Sequence, residues 1–151
     1  MPLVFQFEIT TPERTVFKEP ARQVTLPTSM GEITILPHHL PLVSLLVPGV
    51  LHIIRENGAE LVLAVSGGFI EVQGDKVTVL ADTAERAEEI DEARAEEAKK
   101  HAEEAMKERK DTEAFTSANA NLERNLARVR AVKRWRGRRH SADHTPKPLG
   151  E

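Results

Sequence analysis

The stretch Thr78-Val-Leu-Ala-Asp-Thr-Ala-Glu-Arg-Ala-Glu-Glu-Ile-Asp-Glu-Ala-Arg-Ala95 marks a change of pattern along the chain. Before it lie short runs of β-type residues punctuated by Pro and Gly. After it, from Ala84 to about Arg139, there is no Pro, and the only Gly is Gly137. That grammar predicts two units: a β-sandwich or flattened barrel over residues 1–83 and an antiparallel two-helix hairpin over 84–139. The segment 140–151, with Pro146 and Pro148, reads as a disordered tail.

Working back from the junction, Leu3, Phe5, Phe7 and Ile9 alternate with Gln6 and Glu8, the two-residue period of a half-buried strand. Further strand-like runs are Arg14–Lys18, Arg22–Leu26, Glu32–Leu36, Val50–Arg55, Glu60–Ser66, Phe69–Gln73 and Lys76–Ala81. Asn57-Gly58 predicts a two-residue hairpin turn. Gly74-Asp75 separates the last pair of runs, and Gly67-Gly68 predicts a bulge or a tight corner. Pro37 and Pro41 keep Leu36–Leu42 from being a continuous central strand, because each removes a backbone donor.

Working forward, Asp82 or Thr83 is a candidate N-cap, with Glu85 placed to answer Asp82. Ala95, Ala98, Ala102 and Ala105-Met106 form one narrow apolar stripe. Lys110-Asp-Thr-Glu113 offers a break before a second stripe of Phe115, Ala118, Leu122, Leu126, Val129 and Val132. Small side chains allow close approach and bury little. At ~25 cal/mol/Å², an Ala methyl contributes roughly a third to a half of a Leu side chain. The hairpin is therefore expected to be marginally stable unless it docks, the property a two-state arm requires.

Charge is unevenly distributed. Residues 1–84 carry a net −4, residues 85–113 a net −5, and residues 114–151 a net +6. The two halves of the arm should attract each other when folded, and the released basic half should seek another acidic partner. Glu96–Lys100 and Glu103–Lys107 are spaced for pairing along the first helix. The cluster Arg128, Arg130, Lys133, Arg134, Arg136, Arg138 and Arg139 surrounds the single Trp, Trp135.

The 151-residue chain has no Cys, which removes disulfides and thiolate metal sites and fits a reducing compartment. No basic segment precedes the apolar N-terminus, so no signal peptide is expected. No apolar run is long enough to span a bilayer, so a cytosolic chain is expected. His38 and His39 are adjacent, point opposite ways in extended chain, and have no suitably spaced third ligand, so no metal site is read there. His52 alternates with Leu51 and Ile53 and is expected to face outward. No nucleophile–base arrangement is found, so no catalytic residue is assigned.

Four blocks in order, Gly31-Glu-Ile-Thr-Ile-Leu-Pro-His-His-Leu-Pro-Leu-Val43, Val47-Pro-Gly-Val-Leu51, Ala64-Val-Ser-Gly-Gly-Phe-Ile-Glu-Val-Gln73 and Lys76 through Ala95, resemble the epsilon subunit of the bacterial F-type ATP synthase. The likeness runs from about residue 3 to 135. The family usually has Gly where Thr34 and His38 stand, and often Ala at Leu40. What the resemblance implies is a ten-stranded sandwich at the foot of the central stalk, touching the gamma subunit and the c-ring. A mobile two-helix arm would either fold onto the sandwich or extend towards the catalytic head. Extended, it would suppress ATP hydrolysis by the alpha and beta subunits. The protein would be a non-catalytic rotor subunit, held peripherally at the cytoplasmic side of the bacterial inner membrane.

By matching positions, the resemblance implies a subunit interface at Met30, Gly31, Glu32, His38 and His39, and an inhibitory basic helix carrying Arg128, Arg130, Lys133 and Arg134. Some family members bind ATP as a regulatory ligand, so ATP is a possible ligand here and no cofactor is expected to be required. Their motif corresponds here to Ile90-Asp91-Glu92-Ala93-Arg94-Ala95, with Glu85, Arg124 and Arg128 at the other matching positions. His101 stands where those members have a further Arg. Arg pairs with phosphate oxygens through a planar fork, which His does not reproduce. Two other readings use the same basic helix: a free-standing nucleotide sensor, or a nucleic-acid-binding module. The acidic base and acidic first helix weigh against nucleic acid as a partner.

Overall fold

The computed structural model describes residues 3–108 and 112–142. Nine strands come first: β1 Phe5–Thr10, β2 Thr15–Thr28, β3 Gly31–Ile35, β4 Leu42–Leu46, β5 Gly49–Arg55, β6 Glu60–Val65, β7 Gly68–Gln73, β8 Lys76–Ala81 and β9 Ala84–Arg86. A single 3-10 turn, Ala87–Glu89, leads to helices α1 Glu92–Glu108 and α2 Thr112–Ala142. The expected sandwich and hairpin are both present, with nine strands among the described residues against the ten implied by resemblance. Lys110 and Asp111 of the expected break lie outside the described residues, while Thr112 and Glu113 begin α2; that helix runs to Ala142, past the expected start of the tail at 140, and the rest of the tail lies outside the described residues.

The strands form two leaves. One runs β1-β8-β7-β4; the other contains β2, β5, β6 and β9, with β3 beside β2. Strand β2 serves both, pairing with β1 from Thr15 to Ala21 and with β5 from Ala21 to Thr25. The sequence suggested two separate strands here. Instead the chain stays extended through Pro20 and changes register between Ala21 and Gln23, a bulge that redirects one long strand between leaves. Phe7, Ile9, Val24, Leu26, Leu51, Ile53, Leu63, Ile70 and Val79 fill the space between leaves.

The turns depart from expectation in instructive ways. Gly58 has φ +84 while Asn57 is not in the left-handed region, so this is not the two-residue turn that needs positive φ at both. Gly58 N–H donates to Arg55 O and Arg55 N–H to Ala59 O, each at 2.9 Å, which is a three-residue loop closed by a glycine bulge. Gly67-Gly68 does form a tight corner. A Cβ on Gly68 would meet the Leu80 carbonyl oxygen at 1.9 Å, so only glycine permits this approach of β7 to β8.

The cap expected at Asp82 or Thr83 is not one. Ala84–Arg86 pairs with Leu63–Val65 of β6, so the sheet runs three residues past the expected edge at 83. The first helix instead starts after Asp91, whose Oδ1 accepts from Arg94 N–H at 3.2 Å. An Asp three residues before a free N–H is an N-cap in its own right. Strand pairing won over helix propensity because β6 offered an open edge.

Candidate functional site

Strands β5 and β6 are buried on both faces. Leu51, Ile53, Leu63 and Val65 enter the sandwich core, while Val62 and Ala64 point the other way. Over them lies α2, contributing Ala127 and Ala131, with Val50, Ile90 and Trp135 at the margin. Ala127 and Ala131 are one helical turn apart, and their small side chains let the helix lie close to the sheet. A second face of α2, bearing the buried Ala118, Asn125, Val129 and Val132, is offset from it. That face follows the expected stripe, and Ala118, Asn121 and Asn125 border the same space as Ala98, Ala102 and Ala105 of α1. Phe115, assigned to the stripe by its spacing, is exposed instead.

Five of the basic residues of α2, Arg128, Lys133, Arg134, Arg136 and Arg138, are matched by glutamates. Arg128 Nε lies 2.7 Å from Glu85 Oε2 on β9, and Arg134 Nη1 lies 3.9 Å from Glu32 Oε2 on β3. Arg138 donates to Glu60 on β6. On the other side Lys133 Nζ reaches Glu96 Oε1 of α1 at 3.7 Å, and Arg136 pairs with Glu92. Glu96 thus reaches across the hairpin, where sequence spacing had suggested Lys100 along its own helix. Arg139 stacks over Trp135, 5.0 Å from the ring centre. The attraction expected between the two halves of the arm is present, and the base joins in it.

His52 faces outward, as its alternation implied, yet is only 5% exposed because the end of α2 covers it. Arg138 donates to His52 Nε2 as well as to Glu60, and Glu60 Oε2 lies 3.6 Å from the same ring nitrogen. Burial first, then the positive charges of Arg138 and Arg134, hold His52 below its ordinary value, against the opposing pull of Glu60. The hydrogen bond from Arg138 in turn lowers Glu60. Sequence reading missed this group. Its signal was the apolar outward pair Val62 and Ala64, which a solvent-facing strand surface does not require.

A cavity of about 410 Å³ opens between the base and α2, lined by Thr11, Glu13, Arg14, Asp82, Thr83, Ala84, Glu85, Arg124 and Arg128. Arg128 Nη1 donates to Asn125 Oδ1 at 3.3 Å. The Arg128 Nε–Glu85 approach is close, but its angle is poor for a hydrogen bond, and Nε is left buried without a directed acceptor.

Residues 4–87 match the beta-sandwich domain of the ATP synthase Delta/Epsilon chain, and residues 88–133 match its long alpha-helix domain. This chain belongs to the ATP synthase delta/epsilon family. The ATP synthase epsilon chain of Herpetosiphon aurantiacus is 47% identical over 133 residues, covering 88% of this chain and 97% of its own. That of Nitrosospira multiformis is 40% identical over 137 residues, covering 91% and 99%. A chain in the Euglena gracilis mitochondrial ATP synthase structure of OSCP, F1 and c-ring superposes with TM-score 0.74 at 26% identity, covering 84% of this chain and 80% of that one. One from the Tetrahymena thermophila central stalk and c-ring, 18% identical with TM-score 0.59 over 86% and 94%, shares the fold.

The residues expected to bind a nucleotide divide into two groups. Glu85, Arg124 and Arg128 come together at the cavity. Ile90, Asp91 and Arg94 are not among its lining: Ile90 packs against the cluster of Val62, Ala64, Ala87, Ala127 and Ala131, Asp91 caps α1, and Arg94 stands in solvent 3.9 Å from Asp91. His101 lines the separate space between the helices. In the expected interface, Met30 is 89% exposed at a turn where Gly31 has φ +109. His38 is exposed at φ 64, and His39 Nδ1 lies 2.7 Å from Leu40 O. Arg130 borders a groove with Val47, Pro48, Glu123 and Leu126.

Proposed function

We propose that this chain is a non-catalytic central-stalk subunit of an ATP synthase, whose sandwich seats it on the rotor and whose helical arm restrains ATP hydrolysis when it extends. The observation that carries the reading is the double use of the basic helix. Arg128, Lys133, Arg134, Arg136 and Arg138 are neutralised by glutamates only while the arm is folded. Lifting α2 from the base frees Arg128, Arg134 and Arg138 together, ready for acidic segments of the alpha and beta subunits. The apolar contact beneath is built from alanines and resists that motion weakly.

The base supplies a matching surface on its other leaf. Leu45, Phe69 and Leu80 are register partners across β4, β7 and β8, and all are more than half exposed. With Val43 they make a contiguous apolar face suited to burial against a stalk partner, assigned here to gamma. The Met30–Glu32 turn is assigned to the c-ring. Binding through these two surfaces would hold the protein peripherally at the cytoplasmic side of the inner membrane. Removing residues from 90 onward, which spares β9, should leave assembly into the complex intact and raise its ATP hydrolysis. Unchanged hydrolysis by a fully assembled complex would overturn the arm's inhibitory role.

A second ligand is favoured by the cavity. Arg14, Arg124 and Arg128, with the undirected Arg128 Nε, offer donors for a nucleotide's phosphates. Glu13, Asp82 and Glu85 match those cations one for one, so binding of ATP is expected to be weak and to be helped by Mg²⁺. Calorimetry of the whole chain with MgATP, repeated with Arg124→Ala, tests it; heat unchanged by that substitution would place the nucleotide elsewhere.

A further inference from the structure

We propose that Arg138, His52 and Glu60 form a proton-sensitive latch, in which neutral His52 helps hold the end of α2 on the sheet and protonated His52 releases it. The proposal rests on the reading that the arm moves. Its own basis is the geometry beneath the helix end. Arg138 donates to His52 Nε2, so that nitrogen must carry a lone pair and the neutral ring must bear its proton on Nδ1. Adding a proton to Nε2 removes the acceptor and sets an imidazolium against a guanidinium. Both cations would then compete for Glu60, whose Oε2 lies 3.6 Å from Nε2 and also accepts from Arg138.

The charged groups facing His52 are Arg138 and Arg134 from α2 and Glu60 from β6, while Arg134 is itself shared with Glu32 of β3. The register neighbours on the flanking strands, Thr25 and Val62, carry no charge. When α2 lifts, burial and both arginines leave, and only Glu60 remains, which favours the protonated ring. The docked state therefore prefers neutral His52 and the released state tolerates the proton. Docking is fully supported above the value of the released ring, which Glu60 holds no lower than the ordinary 6.5, and weakens as pH falls from there towards the lower docked value. Each unit between the docked and released values corresponds to about a tenfold change in the docking equilibrium. On the proposed function, acid would favour the extended arm and so restrain hydrolysis.

Trp135 reports the event directly, since it is the only Trp, lies one turn before Arg138 and is half-buried against the small apolar cluster between α2 and β6. Titrating the full-length chain from pH 8 to 5 should show a change in Trp135 fluorescence centred at or below 6.5, reversible on return. His52→Gln keeps an acceptor for Arg138 and cannot gain the proton, so it should stay docked and lose the transition. The other histidines remain in that variant, and a transition that persists there would overturn the latch. Arg138→Gln provides a second check by NMR titration of the His52 ring. Its midpoint should rise relative to the parent chain, and an unchanged or lower one would also overturn the proposal. If the chain behaves as expected, yet complexes carrying the parent chain and His52→Gln hydrolyse ATP alike at every pH, the latch stands and the arm's inhibitory role fails.

Discussion

Arg128 on α2 and Glu85 on β9 face each other at 2.7 Å, joining the middle of the second helix to the last strand of the sandwich. Because Glu85 sits in a strand rather than a helix, it belongs to the fixed base. The pair therefore ties the arm to the pedestal instead of one arm segment to another. Arg128 is the more buried partner, with its side chain 24% exposed against 40% for Glu85.

Replacing Arg128 with Gln should loosen α2 without harming the sandwich. Because Glu85 is partly solvated, the loss is about 0.5–1 kcal/mol rather than the larger figure for a buried pair. Hydrogen exchange of the α2 amides should quicken by about twofold to fivefold, with β-strand amides unchanged. Raising salt to about 1 M should shrink the difference between parent and variant, since screening weakens the parent's pair.

Ala131→Asp should release the arm outright. Ala131 is fully buried in the cluster with Val62 and Ala64, so a carboxylate there is stripped of water against an apolar surface. The cost, on the order of 3 kcal/mol or more, exceeds what an alanine-based contact and a few surface ion pairs return. Limited proteolysis should cut within residues 92–142 while leaving a resistant fragment ending near Glu89.

Gly68→Ala should damage the base itself. The added methyl collides with the Leu80 carbonyl at φ +134, and both obstacles are backbone. A loss of about 3 kcal/mol or more in urea-unfolding stability is expected. Gly137→Ala, with nothing within 4 Å of the new Cβ, should leave stability equal or slightly better and serves as the contrast.

Phe69→Asp, with Leu80→Asp as a second case, should abolish retention of the stalk partner in a pull-down while leaving the chain's own melting temperature within a few degrees. These side chains are 55% and 56% exposed, so the isolated fold gains little from them. Retention at parental levels would remove this face from the assembly surface.

The sequence by itself determined the architecture. Strict alternation in Phe5–Ile9, glycines at the turns and an uninterrupted Ala-rich stretch each impose a local period that admits one kind of element. It also determined that the halves of the arm attract, because the segregation of charge is written along the chain. What it could not determine is which carboxylate meets which cation. Glu96 meets Lys133 and Glu60 meets Arg138, partners separated by 37 and 78 positions, and no local period encodes such distances. The same reason hid β9: Ala84–Arg86 reads as helix until the open edge of β6 claims its backbone donors and acceptors. His52 was legible as outward, but its burial was decided by α2, since a strand fixes the direction of a side chain and only packing decides what covers it.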